Sequence, residues 1–207
     1  MRLAGRDVIG EIDRILKRTG NVMFQAAIIR ELGPDHASTV IDRVDRTCRE
    51  VNSEERLDVL LALTRCKPAM VFWPVFFDQW PHCDDTWHLR DRLLSELRRH
   101  HSEEPGLGYL SDRARAFLDS LPDPVQVFRG CSWRRVMGVS WTTDRSVAAK
   151  FAHGHRGIRV PGPIIAAGLA PKSAIFGVFV CRSESEVILD PRQVDELQVS
   201  PAWEAAA

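Results

Sequence analysis

The hydropathy pattern changes near residue 105, and that change limits the fold more than any other feature of the chain. Before it, apolar residues recur at helical spacing. Val8, Ile12, Ile15 and Leu16 form one stripe, and Val40, Ile41, Val44, Cys48 and Val51 form another. Ser53 followed by Glu54 and Glu55 has the form of an N-cap with acids that suit the helix dipole. Leu57, Leu60 and Leu61 then predict an inward face. Leu89, Leu93 and Leu97 predict a further helix from Thr86 to about His100. Pro105, Gly106 and Gly108 mark a boundary. Beyond it, one short helix over 111–120 gives way to runs of strand length: 125–129, 139–142, 163–169, 174–180, 186–189 and 195–199. A helix over 144–152, capped by Thr143 or Asp144, sits among them. The expected fold class is α+β, with a helical domain over 1–104 and a mostly β domain over 105–207. With 207 residues, 44% of them hydrophobic, the chain holds enough apolar material for a packed core.

The segment from Lys67 to Trp87 is the irregular part of the helical half. Pro74 and Pro81 predict breaks there. Trp73, Trp80 and Trp87 fall seven apart, on one face only if a helix ran through both prolines. They read as core aromatics or a domain contact, with a stacking platform for bases or peptides as the alternative. His82, Cys83, Asp84, Asp85 and His88 form a metal-like cluster, but their spacing fits no zinc pattern, so a polar loop and no metal site is expected.

Other features bear on location. The start, MRLAGRDVIGEID, has no apolar stretch of the kind a secretory signal needs. No apolar run reaches the ~18 residues that span a bilayer. Cys48, Cys66, Cys83, Cys131 and Cys181 are odd in number, widely spaced and without a CxxC pair, which suits reduced thiols. A cytoplasmic protein with no membrane association is the expectation.

Lysines and arginines balance aspartates and glutamates at 28 each, which argues weakly against a chain that coats nucleic acid. The balance hides an asymmetry. Residues 1–104 carry −2 and residues 105–207 carry +2. Within 125–160, Arg129, Arg134, Arg135, Arg145, Lys150, Arg156 and Arg159 face one acid, Asp144. That density is either a solvated basic face or a site for phosphate on a nucleotide or nucleic acid.

Three motifs follow one another in this half. Val127-Phe128-Arg129-Gly130 puts an arginine late in an apolar strand. Ser140-Trp141-Thr142 leads into a helix ending in Phe151-Ala152. Glu184-Ser185-Glu186 places two carboxylates just before the apolar Val187-Ile188-Leu189. Each alone is common; the ordered set is specific.

Over residues 124–200 the set resembles the arginine–serine–glutamate class of ADP-ribosyltransferases, the family of many bacterial toxins. Trp141 departs from the usual middle threonine of the serine motif. The resemblance implies a catalytic domain of two packed sheets that binds NAD as co-substrate, releases nicotinamide and transfers ADP-ribose to a macromolecule. It implies that Glu186 steadies the oxocarbenium-like ribose and holds its 2′-hydroxyl, and that Ser140 orients Glu186. Thr142 would line the same pocket, Arg129 pair with NAD phosphate, and Gly130 bring its backbone to the nicotinamide amide. Phe151 would stack on nicotinamide or serve as core, and His153 and Arg156 would meet phosphate. Glu184 would take a proton from an acceptor arginine or be a solvated loop carboxylate. Protein arginine is the favoured acceptor, with nucleic acid kept open. A toxin or effector setting, with an antitoxin or other regulatory protein as partner, follows from the same resemblance. The rivals are an NAD glycohydrolase with the same site and a non-catalytic binding module of the same fold.

Overall fold

The computed structural model describes residues 34–65, 67–84, 86–154, 160–180 and 184–203. The stripe from Val8 to Leu16, together with Cys66, Asp85, Arg156, Arg159 and Cys181, lies outside the described residues. The fold mixes helices with a sheet, as an α+β chain does. It divides into two compact units, Met1–Glu104 and Pro105–Ala207.

The described part of the first unit is helical: α1 (Pro34–Arg49), α2 (Arg56–Thr64), α3 (Ala69–Gln79) and α4 (Arg90–Glu103). α1 buries Ala37, Val40, Val44 and Cys48, one stripe at three- and four-residue spacing. α2 buries Leu57, Leu60 and Leu61. The turn before α2 is held by Asn52 rather than by Ser53: the Asn52 Oδ1 accepts from the amides of Glu54 at 3.1 Å and Glu55 at 2.9 Å.

α3 overturns the predicted break at Pro74. The helix runs through the proline and gives way to a 3-10 turn, Trp80–His82, that contains Pro81. Pro74 lies on the less buried side, while Val71, Phe72, Trp73, Val75 and Phe76 are all buried. Burying side chains of this size stabilises by about 1.5–3 kcal/mol each. Together they outweigh the ~3 kcal/mol that an interior proline costs. Trp73 and Trp80 are therefore core residues and form no stacking platform. The Trp73 indole donates to the Glu104 carbonyl at 2.8 Å. Trp87 lies apart, in a 3-10 turn over Thr86–Leu89 that precedes α4, with the Arg90 guanidinium 4.2 Å above its ring.

The second unit contains α5 (Asp112–Ser120), α6 (Arg145–His153) and six strands: β1 (Val125–Ser132), β2 (Ser140–Thr142), β3 (Pro163–Ala170), β4 (Ile175–Phe179), β5 (Glu186–Leu189) and β6 (Asp195–Pro201). The strands pair antiparallel in the order β4-β5-β2-β1-β3-β6. β1 and β3 pair along their whole length, from Val125 with Ala170 to Ser132 with Pro163. β1 and β2 meet at a single paired position, Phe128 with Thr142.

Strand alternation assigns the two faces. Val125, Val127, Cys131, Trp141, Val187 and Leu189 enter a core that α5 covers with Ala114 and Leu118. On the other face, Ala148 and Ala152 of α6 pack on Ile165, Ala202 and Phe128. α6 lies so close to β1 that a Cβ on Gly130 would stand 1.7 Å from the Ala148 carbonyl oxygen, so only glycine fits there. The Asp144 carboxylate caps α6 by accepting from the Ser146 amide at 2.7 Å.

Among the described residues, no helix is long and apolar enough to cross a membrane. No group of three His, Cys, Asp or Glu among them could hold a metal.

Candidate active site

The face under α6 carries the site. Ser140 and Thr142 of β2 and Glu186 of β5 alternate with the core residues Trp141 and Val187, so they share the other side of the sheet. Thr142 is directly opposite Glu186, and Ser140 opposite Ile188. Ser140 and Glu186 are therefore diagonal neighbours on one face. The Ser140 hydroxyl donates to Glu186 Oε1 at 2.5 Å, a short, charge-assisted bond.

A pocket with about 520 Å³ of empty space opens at this point. Arg129, Gly130, Ser140, Thr142, Phe151, Glu184 and Glu186, seven of the nine residues predicted for the site, line it. Of the other two, Arg156 lies outside the described residues. Phe128, Val147 and Ala148 also contribute to the walls. Phe151 is half-buried and is one of the lining residues. His153, at the end of α6, is exposed and does not line the pocket.

The segment around Glu184 is pinned to β2. The Thr142 hydroxyl donates to the Glu184 carbonyl at 2.6 Å, and the Thr143 amide donates to the Ser185 carbonyl at 3.1 Å. Ser185 takes the left-handed conformation, φ 45°, which a serine adopts only when its surroundings hold it there. These bonds bring both carboxylates of Glu184-Ser185-Glu186 to one pocket.

Arg129, expected to meet phosphate, is engaged within the protein itself. Its Nε donates to the Arg135 carbonyl at 3.0 Å, and its Nη1 donates to the Ser140 carbonyl. The side chain thus bridges β1 and β2 where their backbones no longer pair. Burial pulls the Arg129 guanidinium below its ordinary pKa, while the Cys131 thiol and the Glu186 carboxylate pull it back up. An arginine stays charged under such opposing pulls.

One residue of this arrangement, Gly138, escapes sequence reasoning. A Cβ on Gly138 would come within 2.3 Å of Arg129 Nη2, so Gly138 makes the space that the guanidinium fills. Trp141 explains its own departure from the middle threonine: its ring is in the core on the opposite face, and its indole donates to the Gly138 carbonyl at 2.8 Å. The one available signal was the glycine's position in the short loop between two motifs.

Chemically, the pocket offers an oriented carboxylate, a second carboxylate beside it, a cationic group and two aromatic walls. That set suits a ligand with a developing positive charge next to an anionic group. No known protein family, curated protein or solved structure matches the chain.

Proposed function

We propose that the second unit is a mono-ADP-ribosyltransferase of the arginine–serine–glutamate class, which cleaves NAD, releases nicotinamide and transfers ADP-ribose to a macromolecular acceptor. One observation carries this reading: the Ser140 hydroxyl bonded to Glu186 at 2.5 Å, in a pocket that Arg129 also lines. Three residues distant in sequence come from three strands to one pocket.

NAD fits the residues present. Phe128 and Phe151 offer aromatic surface to a nicotinamide ring. Arg129 bonds to two carbonyls and to the Cys131 thiol, and its charge at the pocket suits the pyrophosphate. Glu186 stabilises the oxocarbenium-like ribose as the glycosidic bond breaks, and Ser140 holds the carboxylate in place for that task. Glu184 takes the proton from the acceptor nucleophile, a protein arginine or a nucleic acid. The class is built on two packed sheets. On this reading the single-position junction between β1 and β2 separates them into β4-β5-β2 and β1-β3-β6. A cytosolic toxin or effector, with an antitoxin or other regulatory protein as partner, is the setting that goes with the class.

The test is nicotinamide release from NAD, followed by chromatography. Glu186→Gln keeps the shape but removes the charge, and should lower release about 10²–10³-fold with an unchanged circular dichroism spectrum. Wild-type turnover in that variant sinks the assignment. Free ADP-ribose as the sole product, with a lysate present, identifies a glycohydrolase; no turnover by the wild type leaves a binding module.

A further inference from the structure

The loop that joins β1 to β2 gives no residue of 133–139 to the pocket lining, yet it is held firmly and carries an unusual surface. Trp133 is 67% exposed and Met137 41%, and Arg134 and Arg135 are exposed as well. Val136, Gly138 and Val139 in the same loop are buried. Three bonds fix it: Arg129 to the Arg135 carbonyl at 3.0 Å, Trp141 to the Gly138 carbonyl at 2.8 Å, and the Leu189 amide to the Val139 carbonyl at 2.9 Å. The first comes from a residue that lines the pocket, and the loop leads directly into Ser140, which lines it too, so the loop adjoins the pocket.

Sheet register adds a second aromatic. Ser132 pairs with Pro163, and Ile164 with Pro201, two residues before Trp203. Trp203, 66% exposed, therefore lies at the same end of the sheet as Trp133. Along that end of β1, β3 and β6 (132–139, 160–164 and 199–203 among the described residues), Arg134 and Arg135 are the charged residues; Asp190, which follows Leu189 beside Val139, is buried with its carboxylate accepting from the Arg192 amide, and Arg192 is exposed. Asp195 and Glu196 stand at the far end of β6.

We propose that Trp133, Arg134 and Arg135, with Trp203, dock a single-stranded nucleic acid and present it to the pocket as the acceptor of ADP-ribose. The acceptor role rests on the NAD reading above; the docking does not. A peptide bearing a target arginine meets like charge at this surface, whereas a phosphate backbone meets opposite charge. Bases with an open face stack on an exposed tryptophan, and a duplex hides those faces. In the transfer, a nitrogen or oxygen of the nucleotide bonds to C1′ of the nicotinamide ribose as the C1′–nitrogen bond breaks. The electron pair of that bond goes to the nicotinamide ring, which becomes neutral, and the nucleophile's proton passes to the Glu184 carboxylate.

Docking is measured by fluorescence anisotropy with a short fluorescein-labelled RNA and its DNA counterpart, both of mixed sequence. Trp133→Ala should weaken binding about tenfold, and Trp133→Phe should recover most of it. Arg134→Ala combined with Arg135→Ala should lower the slope of log affinity against log salt by about 1.4, near 0.7 for each phosphate no longer neutralised. Transfer is read with adenylate-labelled NAD in a mixture of the same oligonucleotides and an arginine-rich histone. Label on oligonucleotide supports the proposal. Binding that no variant alters, or label on the histone alone, overturns it. Nicotinamide release without acceptor is scored separately. If it is absent while the oligonucleotide binds through Trp133, the NAD reading fails and the docking surface stands.

Discussion

Arg129 occupies a strand position whose neighbours two residues away, Val127 and Cys131, enter the core. A cationic side chain there needs space and acceptors, and it finds both in the β1–β2 loop. Gly138 supplies the space. Gly138→Ala places a methyl against a guanidinium that two carbonyl bonds hold in position, so either those bonds lengthen or the loop moves. Both outcomes shift Ser140 away from Glu186. Misplacement of about 1 Å at a reacting centre costs up to 10²-fold in rate. On the NAD reading, Gly138→Ala should therefore lower kcat for nicotinamide release ten- to hundredfold, with a smaller change in KM. A fall in KM-governed binding alone, at unchanged kcat, would show that Gly138 serves only ligand entry. The contrast between Ser140 and Gly138 shows what was legible here. Ser140 and Glu186 lie in motifs adjacent to strands, where alternation fixes their face. Gly138 matters through a residue nine positions earlier, and no local pattern carries that.

At the scale of elements, local chemistry was readable wherever it acted alone. The Asp144 cap, the strand Glu186–Leu189 and the leucine face of α2 all follow from short-range pattern. β1 runs three residues past its predicted end because β3 pairs with it as far as Ser132, a partner that no local window reveals. α3 shows the same limit from the other side. Proline chemistry predicts a break, and packing on both flanks overrides it. The override leaves a measurable debt. Pro74 lies on the less buried side, so Pro74→Ala loses little packing, restores an amide to the helix and removes the ring clash. The variant should be more stable by about 1–3 kcal/mol in urea denaturation, read from the tryptophans of the first unit. A lower midpoint would mean that the ring packs better than its exposure implies.

For the whole molecule, the first unit carries a buried group that makes it sensitive to acid. His100 in α4 is fully buried and stacked on Phe72, with ring centroids 3.9 Å apart. Burial, and after it the neighbouring Arg99 guanidinium, push its pKa down to about 3. They do so although carboxylate oxygens of Glu96 and Glu103 stand 3.6 and 4.0 Å from its ring nitrogens. The Nδ1 has no hydrogen-bond partner, so a proton there gains little in the folded state. The unfolded chain, with an ordinary histidine near 6.5, takes that proton readily. The folded pKa is the lower one, so the first unit keeps its full stability above about pH 6.5. Between there and about pH 3 it loses up to about 1.4 kcal/mol per pH unit. Hydrogen exchange followed by mass spectrometry at descending pH should show α3 and α4 losing protection before β1 and β5. His100→Phe keeps an aromatic ring against Phe72 and removes the titration, so it should hold α3 and α4 protected to lower pH. Loss of both units together, or loss from the strands first, would place the acid-sensitive group elsewhere.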